Sequence, residues 1–311
     1  MNTLICGSIA YDSIMVFHGR FKDHILPDQV HILNVSFLVP TLRQEFGGVA
    51  GNIAYNLALL QAHALPMGTV GDDAGEYLRR FDELGIDRSR VLHIQGTRTA
   101  QAFITTDLDD NQIVAFHPGA MSHSHHNRMP ADLAVGLALV GPDGREGMLA
   151  HADALAERQI PFVFDPGQAL PLFSGEELLW FLQRATYLAV NDYEAKLLAA
   201  KTGRSVDALS GNLQALIVTR GAQGSEIRAR KGQFVIPAAP VAAVVDPTGC
   251  GDAYRAGLLF GIANDLGWET SGRLASVMGA VKIEHNGAQR HQPTRLQIEQ
   301  RFFEAFGYRP W

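Results

Sequence analysis

The sequence has 311 residues, 47% of them hydrophobic and 19% charged, the make-up of a globular chain able to bury a sizeable core. A net charge of −6 gives no positive field for a nucleic-acid backbone, and no apolar run approaches the ~20 residues of a membrane span, so neither partner is expected. Two cysteines, Cys6 and Cys250, cannot make a disulfide framework, and no charged segment leads into an apolar stretch at Met1, so a reducing cytoplasm is the expected compartment.

In chain order, residues 3–10 (TLICGSIA) suit an opening strand, and 49–63 (VAGNIAYNLALLQAH) a helix with a wide apolar face. Residues 11–46 lack helical period, while 99–120 alternate like a hairpin around an Asp-Asp-Asn turn. The histidines of 121–128 (MSHSHHNR) have no Cys or carboxylate at ligand spacing, so a solvated loop is expected there rather than a metal site. Strand 137–141, helix 145–158 and strand 160–167 follow. Residues 187–203 form a strand feeding a helix, closed by Lys201 and Gly203. Residues 215–221 give another strand, and the segment from 240 repeats the strand-to-helix step.

Apolar strands separated by helices predict a parallel sheet covered on both faces within one domain spanning 1–311. Segments 11–46 and 99–120 would form a small β lid over its ligand edge, where the strand-to-helix turns carry the chemistry.

The most informative turn is DPTGCGDAYRAG (246–257). N–H groups at a helix start lack intrahelical partners, and small residues let an anion approach them, so 248–251 suits a phosphate cradle. Asp252 would then face the same anion, where a carboxylate has a use as the base that takes a proton from an attacking hydroxyl. The alternative, an acidic residue complementing a helix dipole after a tight turn, fits the same residues. No G-x-x-x-x-G-K-[ST] occurs and no G-x-G-x-x-G follows the first strand, so P-loop and dinucleotide readings lose their main support. Asn191 and Glu194, on one first helical turn, could serve a hydrated Mg²⁺ or form a capping box, and the two uses are compatible.

Together these motifs resemble the ribokinase family, also called the PfkB carbohydrate kinases. FGGVAGNIAYNLA (46–58) is similar to the family's first signature, DPTGCGDAYRAGLL (246–259) to its second, NDYE (191–194) to its Asn-x-x-Glu motif, and VTRGAQGS (218–225) to its nucleotide-binding strand and turn. The first signature lacks the Lys of GGKGAN-like sugar kinases. GSIAYDSIM (7–15), SFLVP (36–40), FHPGA (116–120) and DPGQ (165–168) look most like bacterial adenosine and nucleoside kinases.

The resemblance implies a ribokinase-like α/β fold and transfer of the ATP γ-phosphoryl group to the 5′-hydroxyl of a purine nucleoside. A sugar kinase and a nucleoside-binding sensor without turnover are the alternatives. It implies Asp252 as base and the amides of Gly249, Cys250 and Gly251 as the anion hole. Asp12, Gly48 and Asn52 would hold ribose hydroxyls, with Ser8 nearby. Phe103 and Phe116 are candidates to stack on the purine, with Gln168 reading its edge, although for either Phe taken singly plain packing is the slightly better fit. Thr219, Gly221 and Gly224 would lie along ATP, with Asn191 and Glu194 at the triphosphate and its Mg²⁺. A monovalent cation such as K⁺ is implied beside the second signature, with Asp246 as its candidate ligand. A homodimer through the lid is also implied, to which the apolar residues of 24–40 would contribute. Cys250, at a helix N-terminus, is expected to be a reactive thiol with a lowered pKa.

Overall fold

The computed structural model describes residues 2–25, 34–109 and 111–311. The chain opens with β1 (Thr3–Cys6), β2 (Ala10–Val16), β3 (Thr41–Gly47) and helix α1 (Val49–Leu59). After β4 (Ala64–Met67), β5 (Thr69–Val70), α2 (Gly75–Glu83) and β6 (Leu92–His93) comes the expected hairpin, β7 (Ala100–Thr106) and β8 (Gln112–His117). Strands and helices then alternate through β9 (Leu137–Val140), α3 (Arg145–Glu157), β10 (Phe162–Phe164), α4 (Gly175–Arg184), β11 (Tyr187–Asn191) and α5 (Asp192–Thr202). A short α6 (Val206–Leu209) precedes β12 (Ala215–Thr219), β13 (Ser225–Ala229) and β14 (Gly232–Ile236). Three helices finish the chain: α7 (Cys250–Ala263), α8 (Trp268–Ile283) and α9 (Arg295–Phe306).

The main sheet runs β14-β13-β12-β11-β10-β9-β1-β4, parallel from β4 to β12 and antiparallel at β13 and β14. Side chains alternate across it as the pleat requires. Ile5, Leu139, Val163, Ala189 and Ile217 pack with α1, α7 and α8, whereas Leu4, Ala138, Phe164, Leu188 and Leu216 pack with α3, α4 and α5. Both faces are dry, which is why these strands are apolar throughout.

The smaller sheet, β3-β2-β7-β8, is built from the segments expected to form a lid. Its register sets Asp12, Glu45, Ala102 and Phe116 on one face, and Ser13, Gln44, Phe103 and Ala115 on the other.

Several expectations need correction. Residues 3–10 are not one strand: Cys6 ends β1, and Ala10 starts β2 in the other sheet, with Gly7–Ile9 crossing between them. The strand expected at 160–167 shrinks to Phe162–Phe164, and that from 240 does not form. Residues 237–249 are irregular, with Val241, Val244 and Val245 exposed, because β13 and β14 already complete that edge. The histidine stretch is not a loop but a 3-10 turn (Gly119–His126) against α3, and among the described residues no cluster there is suited to a metal. Within the proposed 24–40 surface, 26–33 lie outside the described residues. Of the rest, Leu38 is exposed while Phe37 packs on Phe17 and Phe21.

Candidate active site

The site lies at the carboxyl edge of the parallel strands, where α1, α5 and α7 begin and β2 and β3 bring Asp12 and Gly47 together. Gly249 caps α7 at φ +77°, a left-handed conformation that glycine adopts without strain, and a Cβ there would stand 2.8 Å from that of Ala288. A Cβ on Gly251 would meet nothing within 4 Å, so this face of the turn is open to an approaching group. The three amides expected to form the anion hole are not equivalent. The Cys250 N–H donates to the Pro247 carbonyl at 3.1 Å, whereas those of Gly249 and Gly251 find no acceptor among the described residues.

On one side of this turn lies a cavity of about 480 Å³. Thr219, Gly221 and Gly224 line it together with Cys250 and Gly251, which unites the predicted nucleotide strand with the predicted anion hole. Its remaining wall is apolar and includes Val241, Val244 and Ile283, residues the sequence reading did not single out. A backbone kink makes room: Gly224 has φ +81°, and a Cβ there would lie 2.0 Å from the Ile236 carbonyl.

Asp252 is only partly open to solvent, on the first turn of α7. Burial pushes its pKa up to about 7, with Asp165 and Asp12 adding repulsion against the counter-effects of an Asn52 hydrogen bond and Arg255. Asn52 Nδ2 donates to Asp252 Oδ2 at 2.8 Å, and Asn52 Oδ1 accepts from Gln289 Nε2 at 3.0 Å. Gln289 thereby fixes which end of the Asn52 amide faces the carboxylate, and it also donates to the Tyr77 hydroxyl. Nothing in the sequence marked Gln289, which comes from a loop 237 residues away from Asn52.

The first signature holds the lid strands against this point. Ser8 Oγ accepts from the Val49 N–H at 3.1 Å and so steadies the start of α1. Gly48 sits at φ +83°, where a Cβ would press to 2.6 Å on the Ser8 carbonyl and the Ala10 nitrogen. A Cβ on Gly47 would reach 2.5 Å from Asp12 Oδ2. The Asp12 carboxyl is itself pushed up to about 6, first by burial and then by Glu45 and Asp246. Asp12, Gly48, Asn52 and Asp252 thus converge as expected.

At the start of α5 the capping box is formed. Asn191 Oδ1 accepts from the Glu194 N–H, and Glu194 Oε2 from the Asn191 N–H, both at 2.8 Å. This leaves the Asn191 amide as a donor suited to phosphate, and one Glu194 oxygen suited to the water shell of Mg²⁺. Arg255, buried and paired with Asp165 at 3.0 Å, was missed because it falls in an apolar helical stretch. The Asp165 carboxylate supplies the partner that a buried guanidinium needs. Gln168 stands exposed just beyond β10.

Two expectations fail here. Phe103 and Phe116 point to opposite faces of the lid, so they cannot sandwich one base; only Phe116 shares the face of Asp12. The Cys250 thiol is not activated: burial pushes its pKa up to about 11, outweighing Lys282.

Comparison with known proteins identifies the family. A family model described as pfkB family carbohydrate kinase matches residues 9–295, and the chain belongs to that family. It is a phosphotransferase acting on an alcohol group. A nucleoside kinase of Methanocaldococcus jannaschii is 30% identical over 86% of this chain and 89% of its own length. The structure of Burkholderia thailandensis nucleoside kinase in complex with inosine superposes with a TM-score of 0.90 at 57% identity, covering 99% of each chain. The same protein in complex with ADP-inosine gives 0.88 at 59% identity, covering 99% of this chain and 97% of that one.

Proposed function

We propose that this chain transfers the γ-phosphoryl group of ATP to the 5′-hydroxyl of a purine nucleoside. The observation that carries the reading is the position of Asp252, directly after an open amide turn that borders a nucleotide-sized cavity and hydrogen-bonded to Asn52 of the first signature. A base works best with a pKa near the working pH, and burial brings this carboxyl to about 7.

ATP would lie along Thr219, Gly221 and Gly224, its base against the valines of the irregular 237–249 segment. Asp12 and Asn52 would hold the ribose diol and aim the nucleoside's 5′-hydroxyl at Asp252, which takes the proton as the new P–O bond forms and the bond from the γ-phosphorus to the bridging oxygen breaks, releasing ADP. The N–H groups of Gly249 and Gly251 would receive the charge that spreads over the migrating group. Mg²⁺, when bound through water at Glu194, supplies neutralisation of the polyphosphate. Phe116 would cover the base from the lid.

The lid's outer face carries exposed Leu42 (67%), Phe103 (40%) and Ile113 (43%), which supports pairing of two lids in a homodimer. Two free cysteines, one of them buried, support a reducing setting, and the purine-nucleoside reading would place the reaction in purine salvage.

ADP release measured with adenosine, inosine, guanosine, ribose and fructose 6-phosphate tests the reading. Turnover of a nucleoside well above ribose and fructose 6-phosphate is expected. Preference for a bare sugar would make it a sugar kinase, and nucleoside-dependent thermal stabilisation without turnover would make it a sensor.

A further inference from the structure

Lys282, on the last turn of α8, is fully buried at 0% exposure. Its ammonium donates to the main-chain carbonyls of Asp246 at 2.6 Å and His285 at 3.0 Å. Both partners are carbonyl oxygens rather than carboxylates, the ligand type that also holds bare K⁺ in proteins. Burial pulls the Lys282 pKa down, and the Asp246 and Cys250 side chains pull it back. The C-terminal end of a helix adds favourable potential for a cation.

The surroundings give this charge a job. Residues 245–249 approach the anion hole, and 283–288 brace them from behind. The Val245 and Asp246 N–H groups donate to the Ile283 carbonyl at 2.9 and 3.1 Å, and the Gly287 N–H donates to Asp246 Oδ2 at 2.8 Å. Ala288 limits Gly249 from the same side. Lys282 ties one end of each segment together behind the first turn of α7. Asp246 was expected to ligate K⁺. Each of its carboxylate oxygens already accepts a main-chain N–H, from Thr248 and Gly287, and its carbonyl holds the ammonium. A second cation placed there would face a buried positive charge at short range.

We propose that Lys282 is a built-in monovalent cation: its ammonium bridges the Asp246 and His285 carbonyls, sets the anion-hole turn, and makes the enzyme independent of added K⁺. Lys282 is a positioning residue, acting through the main chain rather than on substrate. The proposal rests on the kinase reading for its catalytic consequence, but its structural consequence can be read by melting alone.

Wild-type turnover of inosine is to be compared in K⁺, Na⁺ and tetramethylammonium salts at matched ionic strength, together with melting temperatures. Replacing K⁺ by tetramethylammonium should change wild-type turnover less than about twofold, whereas supporting interactions of this kind typically cost ~10-fold or more when lost. Lys282→Ala should melt lower than wild type and lose ~10-fold or more in kcat. K⁺ or NH₄⁺, but not the bulkier tetramethylammonium, should raise its melting temperature and restore part of its turnover. Should Lys282→Ala not fold, Lys282→Met fills the apolar path of the side chain and takes its place. A wild type that K⁺ activates tenfold, or whose melting rises specifically with K⁺, overturns the proposal, as does a soluble Lys282→Ala that responds to neither cation or a soluble Lys282→Met with wild-type turnover. A wild type that turns over no nucleoside counts against the kinase reading, and the melting arm still decides the proposal.

Discussion

The burial that lifts Asp252 to about 7 makes one side chain both a base and a source of instability. As a base it acts only when ionised, so kcat/KM for the nucleoside should rise through about pH 7 and level off above it. A flat profile from pH 5 to 8 would argue against that role. For stability the sign runs the other way. The folded pKa lies above the unfolded one, so the folded state binds the proton more tightly and loses that advantage as pH rises towards 7. Asp252→Asn should therefore melt higher than wild type at pH 8, with the difference fading towards pH 4; a lower melting temperature at pH 8 would contradict the burial argument. Cys250 shows the limit of arguing from a helix terminus alone. Its place in the sequence promised a reactive thiolate, but desolvation, which spacing does not reveal, sets its acidity. Iodoacetamide should modify Cys250 more slowly than a free cysteine at pH 8, and Cys250→Ala should remain active. Rapid inactivation prevented by Cys250→Ala would restore the reactive-thiol reading.

Among elements, the turns matter more than the strands they join. Gly48 has both a left-handed φ and no space for a Cβ, so Gly48→Ala should cost about 1–3 kcal/mol of stability, as residues forced into sparsely populated backbone regions do. Chemical denaturation would measure it, and an unchanged midpoint would show that β2 and α1 can shift apart. These turns were legible in the sequence because glycine, Asn-x-x-Glu and the second signature mark backbone demands directly. The run of 240–245 was misread because apolar composition alone does not separate a buried strand from an exposed lining segment. Val241, Val244 and Val245 border the cavity beside the α7 turn or lie next to it and do not sit in the sheet. The β13–β14 pair was passed over, since its alternation is short and interrupted by charge. Gln289, Arg255 and Lys282 act through contacts across tens to hundreds of residues, which no local pattern encodes.

For the molecule as a whole, the proposed function would make the small sheet serve both substrate capture and assembly. One face carries Asp12 and Phe116, and the other carries Leu42, Phe103 and Ile113. Phe116→Ala should raise the nucleoside KM with less effect on association, whereas Phe103→Ala should weaken self-association, read by sedimentation, with less effect on KM. The reverse pattern would mean that the register assigns the two faces wrongly. That both residues belong to the lid was readable from the hairpin, but their opposite faces depend on strand partners that periodicity does not supply.

The most direct test of the account is the turnover of Asp252→Asn with a nucleoside, followed by ADP release alongside calorimetric nucleoside affinity. A proton acceptor at this point is typically worth ~10²–10⁴-fold, so kcat should fall by that order while nucleoside binding stays close to wild type. A variant that retains near-normal kcat would remove Asp252 from the chemistry and contradict the mechanism built on it.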